Sequence, residues 1–266
     1  MNMTDDVSAA VVELADALRT AEATREAIVP PTVSNPGLTI EDAYRIQRLN
    51  IDLRVEAGER VVGHKVGLTS LAMQRQLGVD QPDFGVITDT MVVANGGELA
   101  VDALVSPRVE AEFAFRIGRD LPPSPSLDEL RDAVAGVAVA LEIIDSRVAD
   151  WKIGLLDTVA DNASSARIVY GEFAPAFGSR LAALPNMTIT LTQGDNEVAS
   201  GPGSAVLGDP LVSLHWLATA IGAYGERFSA GQVVLAGAVA AAVPLVAGST
   251  WTASADGLSP VSFTSI

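Results

Sequence analysis

The sequence predicts an α+β chain: a helical N-terminal part followed by a mixed β-sheet roll or sandwich domain. Its first quarter repeats apolar residues at helical spacing, and from Arg60 onward it breaks into short β-type runs divided by turn residues. No repeat or low-complexity segment interrupts either texture. At 266 residues the chain can bury an enzyme-sized core. The change of texture sets a helical region, 1–62, against a β-rich catalytic region, 63–266, the two expected to form one compact unit.

Val7 to Thr24 is rich in Ala, Leu and Glu and reads as the first helix, closed off by Pro30-Pro31. A second helix starts at Thr39, with Asp42 completing a capping-box-like pair, and runs towards Gly58. Gln47 falls on its apolar stripe with Ile40, Tyr44 and Ile51, so its amide must bond either nearby backbone or a bound ligand. The clearest strand runs are Val61 to Val66, Gly85 to Val93, Val109 to Ile117, Val134 to Ile144, Met187 to Thr192, Val233 to Leu245 and Val261 to Thr264. Gln193-Gly194-Asp195-Asn196 marks a hairpin turn ahead of Val198. Two helices interrupt the strands, one capped by Ser126 with Glu129, the other opened by Asp209-Pro210 and lined by Leu211, Leu214, Ala218 and Ile221.

Thirty-three acidic against seventeen basic side chains leave a net charge of −16, which disfavours nucleic acid and anionic membranes as partners. An anionic substrate would need a metal or a few placed cations. With no cysteine, any metal must be held by oxygen or by His64 and His215, which favours magnesium, calcium or manganese. His215 lies in a capped helix and reads as packed or exposed, while His64 stays open. No basic stretch followed by an apolar core opens the chain, so a cytoplasmic setting is the expectation. Ala230 to Gly248 is apolar over nineteen residues, but Gln232, Pro244 and several glycines break it into two short buried strands rather than a membrane span.

The chemistry concentrates in Arg108-Val109-Glu110-Ala111-Glu112-Phe113-Ala114-Phe115. Alternation puts Glu110 and Glu112 on one face of a strand and the apolar residues on the other. Two carboxylates ~6 Å apart at an effective dielectric of ~20 repel by about 3 kcal/mol. Either the face is solvated or a proton or cation compensates it. Glu142 lies among five preceding apolar residues and two following ones, so it is buried on pattern grounds and needs a partner. A salt bridge to Arg147 or Arg108 is one solution. The other joins Glu142 to Glu110 and Glu112 in a three-carboxylate oxygen site suited to Mg²⁺ or Mn²⁺.

Gly63-His64-Lys65-Val66-Gly67-Leu68-Thr69-Ser70 puts a lysine into a glycine-rich strand-to-turn run where backbone can approach a ligand closely, without the spacing of a nucleotide phosphate loop. Asp161-Asn162-Ala163-Ser164-Ser165-Ala166 reads either as an ordinary Asx or Ser turn or as a lining for the same site.

These segments, with Pro82-Asp83-Phe84-Gly85, Ala140-Leu141-Glu142-Ile143-Ile144-Asp145-Ser146-Arg147 and Leu207-Gly208-Asp209-Pro210-Leu211, run in order through most of the chain. Together they resemble the 2-keto-4-pentenoate hydratase and 4-oxalocrotonate decarboxylase family of the fumarylacetoacetate hydrolase superfamily. The resemblance implies a β-rich domain of the fumarylacetoacetate hydrolase C-terminal type. It implies Glu110, Glu112 and Glu142 as ligands of a catalytic Mg²⁺ (or Mn²⁺), with Lys65, Leu68, Asn162, Ser164 and Ser165 at the substrate and Lys65, Asp83 and Glu142 in catalysis. Asp83 is the candidate general base or proton shuttle, with Glu142 or a water on the metal competing for that role. A glutamate as third ligand favours the hydratases and decarboxylases over acylpyruvate-type carbon-carbon hydrolases, the third reading.

The implied reaction is hydration of 2-hydroxypenta-2,4-dienoate or a close alkyl homologue in aromatic or steroid ring-cleavage catabolism, with decarboxylation of a 2-oxo-3-enedioate as the alternative. Where many members of the family carry hydroxyl side chains, Leu235 to Pro244 is apolar, which suits a substrate without a second carboxylate and so favours the hydratase. A homo-oligomer, and association with another enzyme of the pathway, are further expectations of the resemblance.

Overall fold

The computed structural model describes residues 8–70, 74, 79, 81–176 and 178–266. In chain order the helices are α1 (Ala9–Thr24), α2 (Pro31–Ser34), α3 (Ile40–Glu56), α4 (Leu127–Ala133), α5 (Leu155–Ala160), α6 (Gly178–Ala183) and α7 (Pro210–Gly222). The strands are β1 (Val61–Gly67), β2 (Asp83–Thr88), β3 (Glu98–Leu99), β4 (Pro107–Ile117), β5 (Val134–Asp145), β6 (Ser165–Tyr170), β7 (Ala174–Pro175), β8 (Thr188–Gln193), β9 (Asn196–Pro202), β10 (Val233–Ala238), β11 (Val243–Pro244), β12 (Ser249–Ala255) and β13 (Val261–Ser265). The predicted α+β class holds.

The expected caps form. Ser8 accepts from the Val11 amide at the start of α1, and the helix stops at Arg25, which turns left-handed at φ 63° well before the prolines. Val7, the expected first residue, lies outside the described residues. Thr39 and Asp42 make the reciprocal box of α3, Ser126 and Glu129 that of α4, and Asp209 accepts from the Leu211 amide in front of Pro210.

The sheets are mixed. One runs in the order β2-β1-β10-β4-β5-β6, with β11 on β4 and β7 on β5; only its β1–β10 pairing is parallel. The other runs β3-β13-β12-β8-β9. The two pack face to face: Phe113, Phe115, Val137, Val139 and Leu141 from β4 and β5 share one core with Ile189, Leu191, Trp251 and Phe263 of the second sheet. The opposite face of β4 and β5 carries a small cluster of Ala114, Ala140, Ile87, Ile168 and Leu235. Next to these small residues stand the carboxylates, where a larger core would otherwise sit.

The helical region closes a separate core of Val11, Leu14, Leu18, Ala43 and Ile46, but it completes that core with Val148, Val159 and Ala160 from beyond residue 62. Gln47 ties the two parts together: its amide donates to the Phe84 carbonyl at 2.9 Å and the Val159 carbonyl at 3.1 Å, which is the backbone option for this residue.

Several strand runs end differently from their sequence expectation. The run Gly85 to Val93 leaves the sheet after Thr88, because Asp89 takes the Arg60 amide and guanidinium and starts a 3₁₀ turn. Val233 to Leu245 splits into β10 and β11 at Gly237, whose φ of 109° only glycine adopts readily. Strands β6 and β12 had no clear sequence signal. In β12 the inward positions are Trp251 and Ala253 between serines and threonines, too weak an alternation to stand out.

Gly63 sits where β1 and β10 pair, and a Cβ there would meet the Val233 carbonyl oxygen at 1.8 Å. Gly63→Ala should therefore cost about 1–3 kcal/mol in urea unfolding by overpacking the one parallel pairing of this sheet; an unchanged midpoint would show that β1 and β10 are not in this register.

Candidate metal centre and active site

β4 and β5 pair antiparallel with Glu110 directly opposite Glu142, and Glu112 opposite Ala140. Two like charges directly opposite one another destabilise a sheet, so the register itself poses an electrostatic problem. Glu110 is half-buried, while Glu112 and Glu142 are 1% and 0% exposed. One carboxylate oxygen of each lies within 4.8 Å of the others. Among the described residues neither oxygen of Glu142 has a hydrogen-bond partner. Glu112 has one, the Gly237 amide at 2.8 Å, delivered by the left-handed turn that ends β10. A side chain at Gly237 would also collide with Thr69, its Cβ 2.4 Å from the hydroxyl oxygen.

The cation facing this cluster is neither Arg108 nor Arg147. Arg147 is committed to Asp161 at 2.5 Å, and the Arg108 guanidinium lies over the Trp151 ring. Lys65 takes the place instead, its Nζ 3.4 Å from a Glu142 oxygen and its side chain 4% exposed. Alternation along β1 sends Lys65 to the carboxylate face and His64 to the other, where His64 is buried with its Nε2 3.5 Å from Glu226. His215 bonds the Pro125 carbonyl and packs, as its helix position suggested.

The charges shift one another. Burial pushes Glu110 up to about 8, with Glu142 adding to the rise and Lys65 opposing it. Burial also holds Glu112 well above the ordinary carboxylate range, again reinforced by Glu142. Burial alone would lower the Lys65 ammonium, but Glu142, then Asp83, Glu110 and Glu112, hold it above its usual value. Asp83 is 1% exposed and raised by burial, while Lys65 and the Thr158 hydroxyl pull it down. Asp83 pairs with Gly67 in the β1–β2 register; from a Cβ built on that glycine, an Asp83 oxygen would be 2.1 Å away and Lys65 Nζ 3.4 Å. Lys65 and Asp83 thus converge over a glycine.

Among the described residues, four acidic groups around one ammonium leave a deficit of positive charge. A divalent cation fits this donor set: three carboxylates within reach of a single point, oxygen donors throughout, and buried Glu142 oxygens that, among the described residues, have the Lys65 ion pair but accept no hydrogen bond. Glu110, Glu112 and Glu142 would hold it.

The remaining predicted site residues come from two turns. Leu68 is left-handed at φ 56° and lies directly after β1. Asn162, Ala163 and Ser164 follow one another at φ 54°, 51° and 54°, a run of non-glycine residues that costs about 1–3 kcal/mol each and is held by its surroundings. Asn162 does much of the holding: it accepts from the Val86 amide at 2.8 Å and donates to the Val86 carbonyl at 2.9 Å, while Gly85 leaves room for its backbone. Asp161 binds Arg147. Among the described residues the buried hydroxyls of Ser164 and Ser165 have no hydrogen-bond partner, which leaves them able to bond a ligand. Leu207-Gly208-Asp209-Pro210 serves the cap of α7, and the Leu207 amide donates to the Thr69 carbonyl.

Two contributors escaped sequence reasoning. Thr158 beside Asp83 had no signal in its helix. Gly237 did, as a glycine inside an apolar run, but its role depends on a partner 125 residues away.

No family model matches the chain. Among characterised relatives, the 2-keto-4-pentenoate hydratase of Burkholderia vietnamiensis is 43% identical over 260 residues, 97% of this chain and 98% of that one. The 2-hydroxyhexa-2,4-dienoate hydratase of Comamonas testosteroni is 40% identical over 250 residues, 92% of each. Among solved structures, 4-oxalocrotonate decarboxylase from Pseudomonas putida G7, complexed with magnesium and adipate, superposes with a TM-score of 0.90 at 35% identity, covering 96% of this chain and 97% of that one. Fold and relatives define an enzyme of the fumarylacetoacetate hydrolase superfamily. Within it, the chain belongs to the 2-keto-4-pentenoate hydratase family of hydro-lyases.

Two measurements check the centre. Mn²⁺ or Mg²⁺ should raise the Tm of the wild-type protein and leave that of Glu112→Gln unmoved; equal stabilisation of both would remove Glu112 from the site. The pH dependence follows from the raised carboxyls. An acid whose folded pKa exceeds its unfolded one binds more protons in the native state, so its contribution is complete below about pH 4.5. That contribution is lost as the pH rises through about 8 for Glu110. In EDTA, Tm should therefore decline across this window, and saturating Mg²⁺ should flatten the decline.

Proposed function

We propose that this protein is a hydratase that adds water to 2-hydroxypenta-2,4-dienoate, or a close alkyl homologue, to give a 4-hydroxy-2-oxo acid, with Mg²⁺ or Mn²⁺ held by Glu110, Glu112 and Glu142. The observation that carries the reading is the buried Lys65 ammonium, 3.4 Å from Glu142 within a cluster of three carboxylates. A permanent cation and an oxygen-ligand metal site, both out of bulk water, are what a 2-oxo acid needs to carry negative charge on its oxo oxygen. The relatives named as hydratases supply the reaction, and the decarboxylase relative supports magnesium as the metal.

Bound Mg²⁺ or Mn²⁺ would supply Lewis-acid stabilisation of the charge that develops on the 2-oxo group. The rest falls to the chain. Lys65, kept protonated by its four acidic neighbours, stabilises the same charge from the protein side. Asp83, its carboxyl raised by burial and pulled back by Lys65 and the Thr158 hydroxyl, stands where a proton can pass to and from the substrate. It serves as the proton shuttle: the dienol loses its hydroxyl proton and gains one at C5, giving the conjugated ketone, and then water adds its oxygen at C4 and a proton at C3. The Ser164 and Ser165 hydroxyls, without partners among the described residues, bind the substrate. Asn162 and Leu68 shape the turns that bring these groups in, Asn162 through its hold on Val86.

The apolar stretch Leu235 to Pro244, with neither a cation nor a hydroxyl of its own to receive a second carboxylate, favours hydration over decarboxylation. We further propose a cytoplasmic homo-oligomer acting in the catabolism of aromatic compounds.

The purified protein with Mg²⁺ should consume the dienol absorbance of 2-hydroxypenta-2,4-dienoate and release no carbon dioxide from 2-oxohex-3-enedioate; carbon dioxide without water addition would reverse the assignment. Asp83→Asn should lower kcat by ~10²–10⁴ while metal-induced stabilisation persists.

A further inference from the structure

Two guanidinium groups lie on the carboxylate face of β4: Arg116, at the far end over the Phe173 ring, and Arg108, beside Glu110 and not used by the metal centre as described. Arg108 stands two residues outward from Glu110, on the same face as Glu110 and Glu112, between Ile144 of β5 and Pro244 of β11. Among the described residues no carboxylate pairs with it and no acceptor takes its N–H groups. Its guanidinium carbon lies 4.5 Å from the centre of the Trp151 ring.

The ring is itself fixed. Trp151 Nε1 donates to the Ser106 carbonyl at 3.0 Å, with the Ser106 hydroxyl at 3.2 Å, and the backbone at Asp150 and Trp151 is left-handed at φ 59° and 55°. Stacking on an aromatic face holds a guanidinium in plane and leaves its in-plane N–H fork open, the geometry that grips a carboxylate through two bonds.

Position adds direction to this. Lys65 pairs across β10 with Leu235, which pairs with Ala114, two residues inward from Glu112. The Lys65 side chain nevertheless reaches Glu142, the direct partner of Glu110, so Lys65 and Arg108 both stand beside the Glu110–Glu142 pair. A 2-oxo acid carries its oxo oxygen and its carboxylate on adjacent carbons, so the two groups can meet Lys65 and Arg108 side by side.

The geometry points to Arg108, seated on Trp151, as a substrate-binding residue that takes the carboxylate of the 2-oxo acid beside Glu110, next to the oxo oxygen that Lys65 faces. The assignment rests on the hydratase reading for the class of substrate. Trp151 is the positioning residue that keeps the fork aimed.

The test is calorimetric binding of 2-oxopentanoate, an unreactive 2-oxo acid, to the Mg²⁺-loaded full-length protein, with Mg²⁺ binding and Tm measured alongside. Arg108→Gln should weaken 2-oxopentanoate ~10- to 100-fold, the loss of a charge-assisted pair, and raise KM by more than it lowers kcat. Arg108→Lys should fall between Gln and wild type, and Trp151→Phe should bind more tightly than Trp151→Leu. Mg²⁺ affinity should be unchanged or higher in Arg108→Gln, because a positive charge near Glu110 is removed. Equal binding by wild type and Arg108→Gln, a parallel loss of Mg²⁺ affinity, weakened binding of adipate alone, or a wild type that does not bind 2-oxopentanoate would each overturn the assignment. A wild type that binds 2-oxopentanoate through Arg108 yet fails to hydrate the dienoate would overturn only the hydratase reading.

Discussion

The structure is organised around the repulsion between Glu110, Glu112 and Glu142. The β4–β5 register sets two of these carboxylates directly opposite each other, next to alanines rather than next to bulky apolar side chains. A sheet face arranged in this way gains little from packing and loses through charge. The other face of the same two strands makes up the difference: Phe113, Phe115, Val137, Val139 and Leu141 are completely buried against the second sheet. One face supplies stability and leaves the other free to hold charge.

The surrounding backbone is shaped by the same demand. Gly237 turns left-handed to aim its amide at Glu112, and Gly67 leaves the space in which Asp83 and Lys65 approach. The left-handed run Asn162-Ala163-Ser164 is strained in isolation and is held by Asn162 on Val86 and by Asp161 on Arg147. Gln47, reaching from α3 to Phe84 and Val159, couples the N-terminal helices to the strand that begins with Asp83 and to the helix that carries Thr158. The helices thus act on the site through the backbone they brace.

Hydration and decarboxylation of 2-oxo acids need the same sink for negative charge, which is why a hydratase sequence superposes so closely on a decarboxylase. The difference between the two reactions lies in what the pocket offers beyond the sink: a cation for a second carboxylate, or an apolar wall. Selectivity between the two reactions therefore falls to groups beyond the charge sink rather than to the sink itself.

By itself the sequence determined the longer helices with their caps, most of the central strand runs, and the fact that Glu110 and Glu112 share a face, because each depends on periodicity within a few residues. It also marked Glu142 as buried and in need of a partner, and the ordered motifs pointed to the family. It could not say that the partner is Lys65 rather than Arg147 or Arg108, that Glu142 stands opposite Glu110, or that Asn162 bonds Val86. Those facts join residues dozens of positions apart. They follow from strand register and from the crossover that lays β1 beside β10, which the packing of the two sheets decides and local spacing does not.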